Sequence, residues 1–183
     1  MPDSGLVDHL ELAAPGLLLR PWREEDAPGV LDALRDPAIA LWNPQGGPLD
    51  RDSALGWVRR RADWSAGDHV SLAVADPADP GVLLGSVSLH RIDGGDASIG
   101  YWTVAGARGR GIAARAVVRL TGWGFAERGL HRIELCHAVA NRPSCRVAER
   151  AGYRAEGTLR ESYRYGDGRR HDEHLHARLA TDR

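Results

Sequence analysis

"YWTVAGARGRGIAARAVVRL", Tyr101–Leu120, decides the fold. Its first residues read as a strand and its last as an apolar helix. Between them Arg108 and Arg110 alternate with Gly109 and Gly111. Glycine tolerates positive φ and lets a ligand approach the backbone closely. The helix expected from about Ile112 presents unpaired N–H groups and the positive end of its dipole. Such a turn suits a pyrophosphate, to which Arg108, Arg110 and Arg115 would add charge-assisted hydrogen bonds. An ordinary tight strand-to-helix turn would use the same glycines, so the motif alone leaves both readings standing.

A dinucleotide site is the rival. "GRGIAA", Gly109–Ala114, fits G-x-G-x-x-A, and Glu134 lies about 20 residues on, where that fingerprint places an acid. Yet five residues separate Thr103 from Gly109, whereas the fingerprint begins almost at the end of its strand. It also opens a doubly wound parallel fold. The Walker-type phosphate loop is excluded, because no Gly-Lys-Ser/Thr follows.

Upstream, "HVSLAVA" (69–75), "VLLGSVSLHRI" (82–92) and "ASIGYWTV" (97–104) alternate with period two across clear turns, predicting an antiparallel meander. Ahead of it, Gly16–Trp22 reads as a first strand and residues 24–36 as a helix with Asp26 as N-cap. Pro37, Pro44, Gly46, Gly47 and Pro48 mark 37–50 as a loop or broken helix, and a helix begins near Arg51. Downstream, the helix runs from about Ile112 to Arg128, followed by a strand at 131–139 and a short helix at 142–152. A closing hairpin turns at "GDG", Gly166–Gly168. The order βααβββαβαββ predicts a mixed α/β or α+β sheet of about seven strands. Residues 1–15 form a lead-in and 16–183 a single domain.

The chain has 183 residues and a net charge of −1, so no positive field draws it to nucleic acid or an anionic membrane. All 24 basic residues are arginine, which rules out lysine-based catalysis. Cys136 and Cys145 are too few for a disulfide framework. No signal pattern or spanning apolar run appears, so a cytoplasmic location is expected.

Three segments resemble one family in the right order. "RGRGIA", Arg108–Ala113, resembles the (Gln/Arg)-x-x-Gly-x-(Gly/Ala) acyl-CoA motif of the GNAT N-acetyltransferase superfamily, and "SIGYWTV" resembles the strand before it. "NRPSCRVAERAGYRAEGTLR", Asn141–Arg160, resembles the Asn-x-x-Ser…Gly-(Phe/Tyr)…Glu-Gly segment of the ribosomal-protein alanine/serine N-acetyltransferase branch. "LRPWREEDAPGV", Leu19–Val30, resembles that branch's opening. The resemblance covers about Gly16 to Leu179. It implies helices on both sheet faces and a splay between the fourth and fifth strands that admits the pantetheine arm. The arm would pair with backbone around Trp102, Thr103 and Val104. The diphosphate of acetyl-CoA, used as cosubstrate, would sit on N–H groups of Gly109, Arg110, Gly111, Ile112, Ala113 and Ala114, with Arg108 beside it, and Asn141 fits the family's CoA-contacting asparagine. An amine then attacks the thioester directly, with no covalent enzyme intermediate. Homodimers are common in the family, and the resemblance carries that expectation here.

Ser144 matches the position from which a hydroxyl protonates the CoA thiolate. Relatives that use a tyrosine carry it four residues later, where Ala148 stands. The general base is less defined. Relatives place a carboxylate at the Ser98 or Cys136 position, and both are missing. Glu134 shares a strand face with Cys136 and is the candidate, with His90 and His137 behind it. Trp42, Asn43 and Pro44 fall in the segment that walls the family's acceptor pocket. The branch favours a protein N-terminal α-amine as acceptor. A small-molecule amine with an acetyl or succinyl donor, or a CoA-binding module without catalysis, remain alternatives. His174 and His176 share a strand face with His171 nearby, but no fourth ligand is visible, and no metal is expected.

Overall fold

The computed structural model describes residues 10–43 and 50–182; Pro44 lies outside them. In chain order the elements are β1 (Leu12–Ala14), β2 (Leu17–Pro21), α1 (Ala27–Arg35), α2 (Pro37–Trp42), α3 (Arg51–Ala62), β3 (His69–Ala75), β4 (Leu83–Asp93), β5 (Asp96–Thr103), α4 (Ile112–Glu127), β6 (Arg132–Ala138), α5 (Arg142–Arg150), β7 (Arg154–Arg164) and β8 (Arg170–Leu179). The strands form one sheet in the order β1-β2-β3-β4-β5-β6-β8-β7. No helix among the described residues is long and apolar enough to cross a membrane.

The sheet has eight strands rather than seven, because the end of the lead-in pairs with β2, Leu12 opposite Leu19. The proline-rich stretch also begins with a helix. Pro37 needs no backbone donor at a helix start, and the Asp36 carboxylate accepts from the N–H groups of Ala38 and Ile39.

Strand alternation builds two cores. Leu72, Val87, Ile99, Ile133 and Leu135 face α4, which inserts Ile112, Ala116, Val117 and Leu120. On the opposite face Ala73 and Trp102 pack against α1 and α3. There Trp22 meets Trp57 at 5.1 Å and Trp102 at 6.2 Å between ring centroids. Asp26 does not act as a side-chain cap for α1. Its carboxylate turns inward to Arg20 at 2.7 and 2.8 Å, because that buried guanidinium has a far greater need of a partner than an exposed helix end.

One pairing sets up the site. β5 and β6, joined by the α4 crossover, are the parallel neighbours in the sheet, and they pair over three positions, ending at Ser98 opposite Glu134. Beyond that point β5 stays with β4 through Thr103, while β6 stays with β8 through Ala138. A gap therefore opens between the C-terminal halves of β5 and β6.

Candidate active site

The Arg/Gly turn lies at the mouth of this gap. After β5 the chain makes a short 3₁₀ turn at Ala105–Ala107. Gly109 (φ 75°) and Gly111 (φ 72°) then take the left-handed conformation, and Gly111 is the N-cap of α4. A side chain would be strained at either position. No backbone acceptor among the described residues meets the N–H groups from Gly109 to Ala114, so these donors converge unpaired at the helix start. Beside them a pocket of about 470 Å³ is lined by Ala13, Pro15, Arg110, Gly111, Arg115 and Arg150, among others. Arg115 donates to the Arg110 carbonyl at 3.2 Å. Its Nε is buried without a partner.

Arg108 is engaged elsewhere. Its guanidinium donates to Asp36 at 2.6 Å and to the Thr103 carbonyl at 3.3 Å. That bond holds the Asp36 carboxyl below its usual range. Arg108 thus ties the glycine turn to the start of α2. The three strand positions also differ. The Val104 N–H donates to the Leu84 carbonyl on β4. Antiparallel alternation then turns the Trp102 backbone to β4 as well, and the Thr103 backbone to the gap.

Across the gap, the Asn141 side chain caps α5 by accepting from the Ser144 N–H at 3.4 Å. From β5, the Tyr101 hydroxyl donates to the Ser144 carbonyl at 3.5 Å. Burial pushes that phenol up to about 12, so it remains a donor. Ser144 is therefore held from both sides at the end of the gap.

On the α1–α3 face, Glu134 stands at the last position of β6 that pairs with β5. Its Oε1 accepts from Arg132 at 2.9 and 3.2 Å, and Arg132 also grips Glu156. Two residues on, burial pushes the Cys136 thiol up to about 11. Beyond it lies Glu173, which the sequence reading passed over. Glu173 is 8% exposed and pairs across from Ala138. It accepts from the Ser162 hydroxyl at 2.7 Å and the Tyr165 hydroxyl at 2.8 Å. The signal was present in "HDEHLH": the residue preceding His174 on a strand must point to the other face.

Trp42 packs edge-on to Tyr165 at 5.5 Å and to His171 at 6.0 Å. The β7–β8 turn docks on α2 through Gly166, whose N–H donates to the Leu41 carbonyl at 2.9 Å. A Cβ on Gly166 would collide with the Ala40 carbonyl. α2 and the hairpin therefore form one wall, with Trp42 in it and Asn43 closing the helix. His171 belongs to this side, bound to Asp167 at 2.9 Å. His174 and His176 turn to the opposite face, where they meet His137 and Cys145.

His90 lies on β4 near Gly100, and burial pushes it from 6.5 down to about 4. It is neutral at pH 7 and a poor base toward an ammonium. Above pH 6.5 neither folded nor unfolded chain protonates it. As pH falls from 6.5 toward 4, the unfolded chain binds a proton that the folded chain refuses, so stability falls with pH. His90→Gln is expected to flatten the stability–pH profile over this window in urea melts. An unchanged profile would exclude His90 as a contributor.

A strand pair that parts beside a donor-rich helix start is the frame of an acyl-CoA-dependent N-acyltransferase. Residues 16–154 match the model of the acetyltransferase (GNAT) domain, and the chain belongs to that family. It is 35% identical over 133 residues to the putative ribosomal N-acetyltransferase YdaF of Bacillus subtilis, covering 71% of this chain and 69% of that protein. Among solved structures, an acetyltransferase (GNAT family) from Bacillus anthracis superposes with a TM-score of 0.82 at 25% identity, covering 94% of this chain and all of that one. Mycobacterium smegmatis RimJ in complex with CoA-disulfide gives 0.80 at 27% identity, covering 96% and 89%. The chain is a GNAT N-acetyltransferase, with a mixed, mostly antiparallel sheet and helices on both faces.

Proposed function

We propose that the protein transfers an acetyl group from acetyl-CoA to the N-terminal α-amine of a protein. The observation that carries this is the gap beyond Ser98 and Glu134 with the unpaired N–H groups of Gly109–Ala114 at its mouth. The diphosphate lies on those donors, flanked by Arg110 and Arg115, and the pantetheine arm runs past Thr103 and Asn141 into the gap. The amine nitrogen attacks the thioester carbon, and the tetrahedral intermediate collapses by C–S cleavage. A carboxylate takes the ammonium proton through water before the attack; Ser144 protonates the departing thiolate and is reprotonated, through solvent, by the proton that the new amide nitrogen releases. Glu134 is the candidate from strand alternation, and Glu173 is a second carboxylate on the same face. The choice of a protein amine as acceptor is supported by the similarity to the putative ribosomal N-acetyltransferase YdaF.

The test is thiol release from acetyl-CoA on a panel of N-terminal peptides and small amines. Turnover on peptides supports the proposal. Turnover confined to small amines moves the enzyme to the small-molecule class, and saturable binding without turnover makes it a CoA-binding module. Gly111→Val forces a β-branched residue to φ 72° at the diphosphate. Calorimetric acetyl-CoA affinity should fall by roughly tenfold or more, in line with a strain of order 1–3 kcal/mol, with the circular dichroism retained. Unaltered affinity would move the diphosphate elsewhere.

A further inference from the structure

We propose that His137, Cys145, His174 and His176 form a tetrahedral zinc site that fastens α5 to the sheet. His137 comes from β6, His174 and His176 from β8, and Cys145 from the first turns of α5. His137 lies directly opposite His174 in the β6–β8 ladder, and His176 lies opposite Leu135. The three imidazoles therefore share the face beneath α5. One nitrogen from each, with the Cys145 sulfur, lies within 4.8 Å of all the others. The sequence displays no fourth ligand because the residues that complete the set lie more than twenty-five positions upstream, on two other elements.

Three features are compatible with zinc. Ligand nitrogens held ~2.0–2.1 Å from a tetrahedral zinc are separated by roughly 3.3–3.4 Å, and His137 Nε2 lies 3.3 Å from His176 Nε2. His137 Nδ1 lies 2.9 Å from the Ala138 carbonyl, a donor bond that fixes the tautomer with a bare Nε2 aimed at the cluster. A backbone carbonyl behind a ligating histidine is the usual orienting arrangement. Finally, three nitrogens and one sulfur suit zinc, whereas calcium and magnesium demand oxygen.

In the metal-free arrangement His176 Nδ1 is buried without a partner. His176 donates from Nε2 to His137, and the Cys145 thiol faces the Glu149 carboxylate at 3.7 Å. On binding, zinc takes the lone pairs of both Nε2 atoms, His176 shifts its proton to Nδ1, and Cys145 loses its thiol proton to solvent. One thiolate leaves a single net positive charge at the centre, which Glu149 offsets. Four protein ligands close the coordination sphere, so the site is structural. Its consequence is positional: α5 begins with Asn141 and Ser144, and zinc would hold that end of the helix against β6 and β8.

The test uses tag-free protein, stripped with chelator and titrated with zinc alone, then with cobalt as a spectroscopic probe. One zinc per chain by elemental analysis, a rise in Tm on zinc addition, and a cobalt spectrum with a thiolate charge-transfer band are expected. Cys145→Ser should abolish that band, and His174→Ala should weaken zinc binding by roughly tenfold or more, the scale of losing one ligand or its support. Both positions are only partly buried, so these variants are expected to fold, and the cobalt spectrum of the unmodified chain needs no variant. Absence of stoichiometric binding at micromolar zinc would reduce the cluster to a histidine–histidine hydrogen bond. Binding with a spectrum unchanged by Cys145→Ser would place the metal elsewhere, and either result overturns the proposal. Neither depends on acetyl-CoA or the acceptor, so failure here leaves the proposed reaction untouched.

Discussion

Asp26→Ala is expected to destabilise the protein by about 3–5 kcal/mol, the range for removing one partner of a buried ion pair. Arg20 is 1% exposed and Asp26 is 5% exposed. The two meet through parallel N–H···O bonds of 2.7 and 2.8 Å. Arg20 also donates to the Pro80 carbonyl at 2.7 and 3.0 Å and to the Pro21 carbonyl at 3.0 Å. Carbonyl dipoles cannot neutralise a full charge, and arginine does not shed its proton at accessible pH. The variant would therefore keep an uncompensated cation between β2 and the turn before β4. Since a domain's total stability is only about 5–15 kcal/mol, much of it would be lost. Asp26 also accepts the Arg23 N–H at 2.8 Å, so the entry to α1 should fray with it. Urea unfolding measures the loss. The double variant Arg20→Met, Asp26→Ala should recover a large part, because no buried charge remains. A single-variant cost below about 1 kcal/mol would match an exposed pair instead and contradict the burial.

The same residue shows where sequence reading ends. An aspartate ahead of a proline-containing helix looks identical whether its carboxylate turns to the helix N–H groups or to Arg20. Local pattern carries period and punctuation, which is why β3, β4, β5, α4 and the glycine turn were legible to within a residue or two. β1 has three residues and α2 six, too short for either period to register. Partner choice is the larger gap. Arg108 bonds Asp36 across 72 positions, and the diphosphate motif gives no hint of it. Alternation placed Glu134 and Cys136 on one face correctly. It also sets Glu173 on the face opposite His174, but that this is the face of Glu134 and Cys136 needs the β6–β8 register, which only folding of the hairpin against β6 defines. Histidines 137, 174 and 176 met the same obstacle.

Ser144→Ala is expected to lower kcat by ~10²-fold or more, within the ~10²–10⁴ range of general acid–base catalysis. The lower end fits a thiolate, a better leaving group than an amine or alkoxide. The backbone that carries the hydroxyl is anchored: the Ser144 N–H is bound by Asn141 and its carbonyl is met by Tyr101. Its environment also favours the chemistry, since a helix N-terminus stabilises negative charge developing on sulfur. Acetyl-CoA affinity should fall by no more than about tenfold, because the proposed diphosphate and pantetheine contacts lie on other residues, and one lost hydrogen bond to a neutral thioester is worth only about 0.5–1.5 kcal/mol. Asn141→Ala supplies the contrast. It removes the cap and should cost ~1 kcal/mol of stability, with a weaker hold on acetyl-CoA. If Ser144→Ala turned over at the unmodified rate, solvent would be the acid. If it lost affinity and stability together as Asn141→Ala does, its role would be to cap the helix. A fall in kcat at constant affinity and constant Tm separates protonation of the thiolate from both.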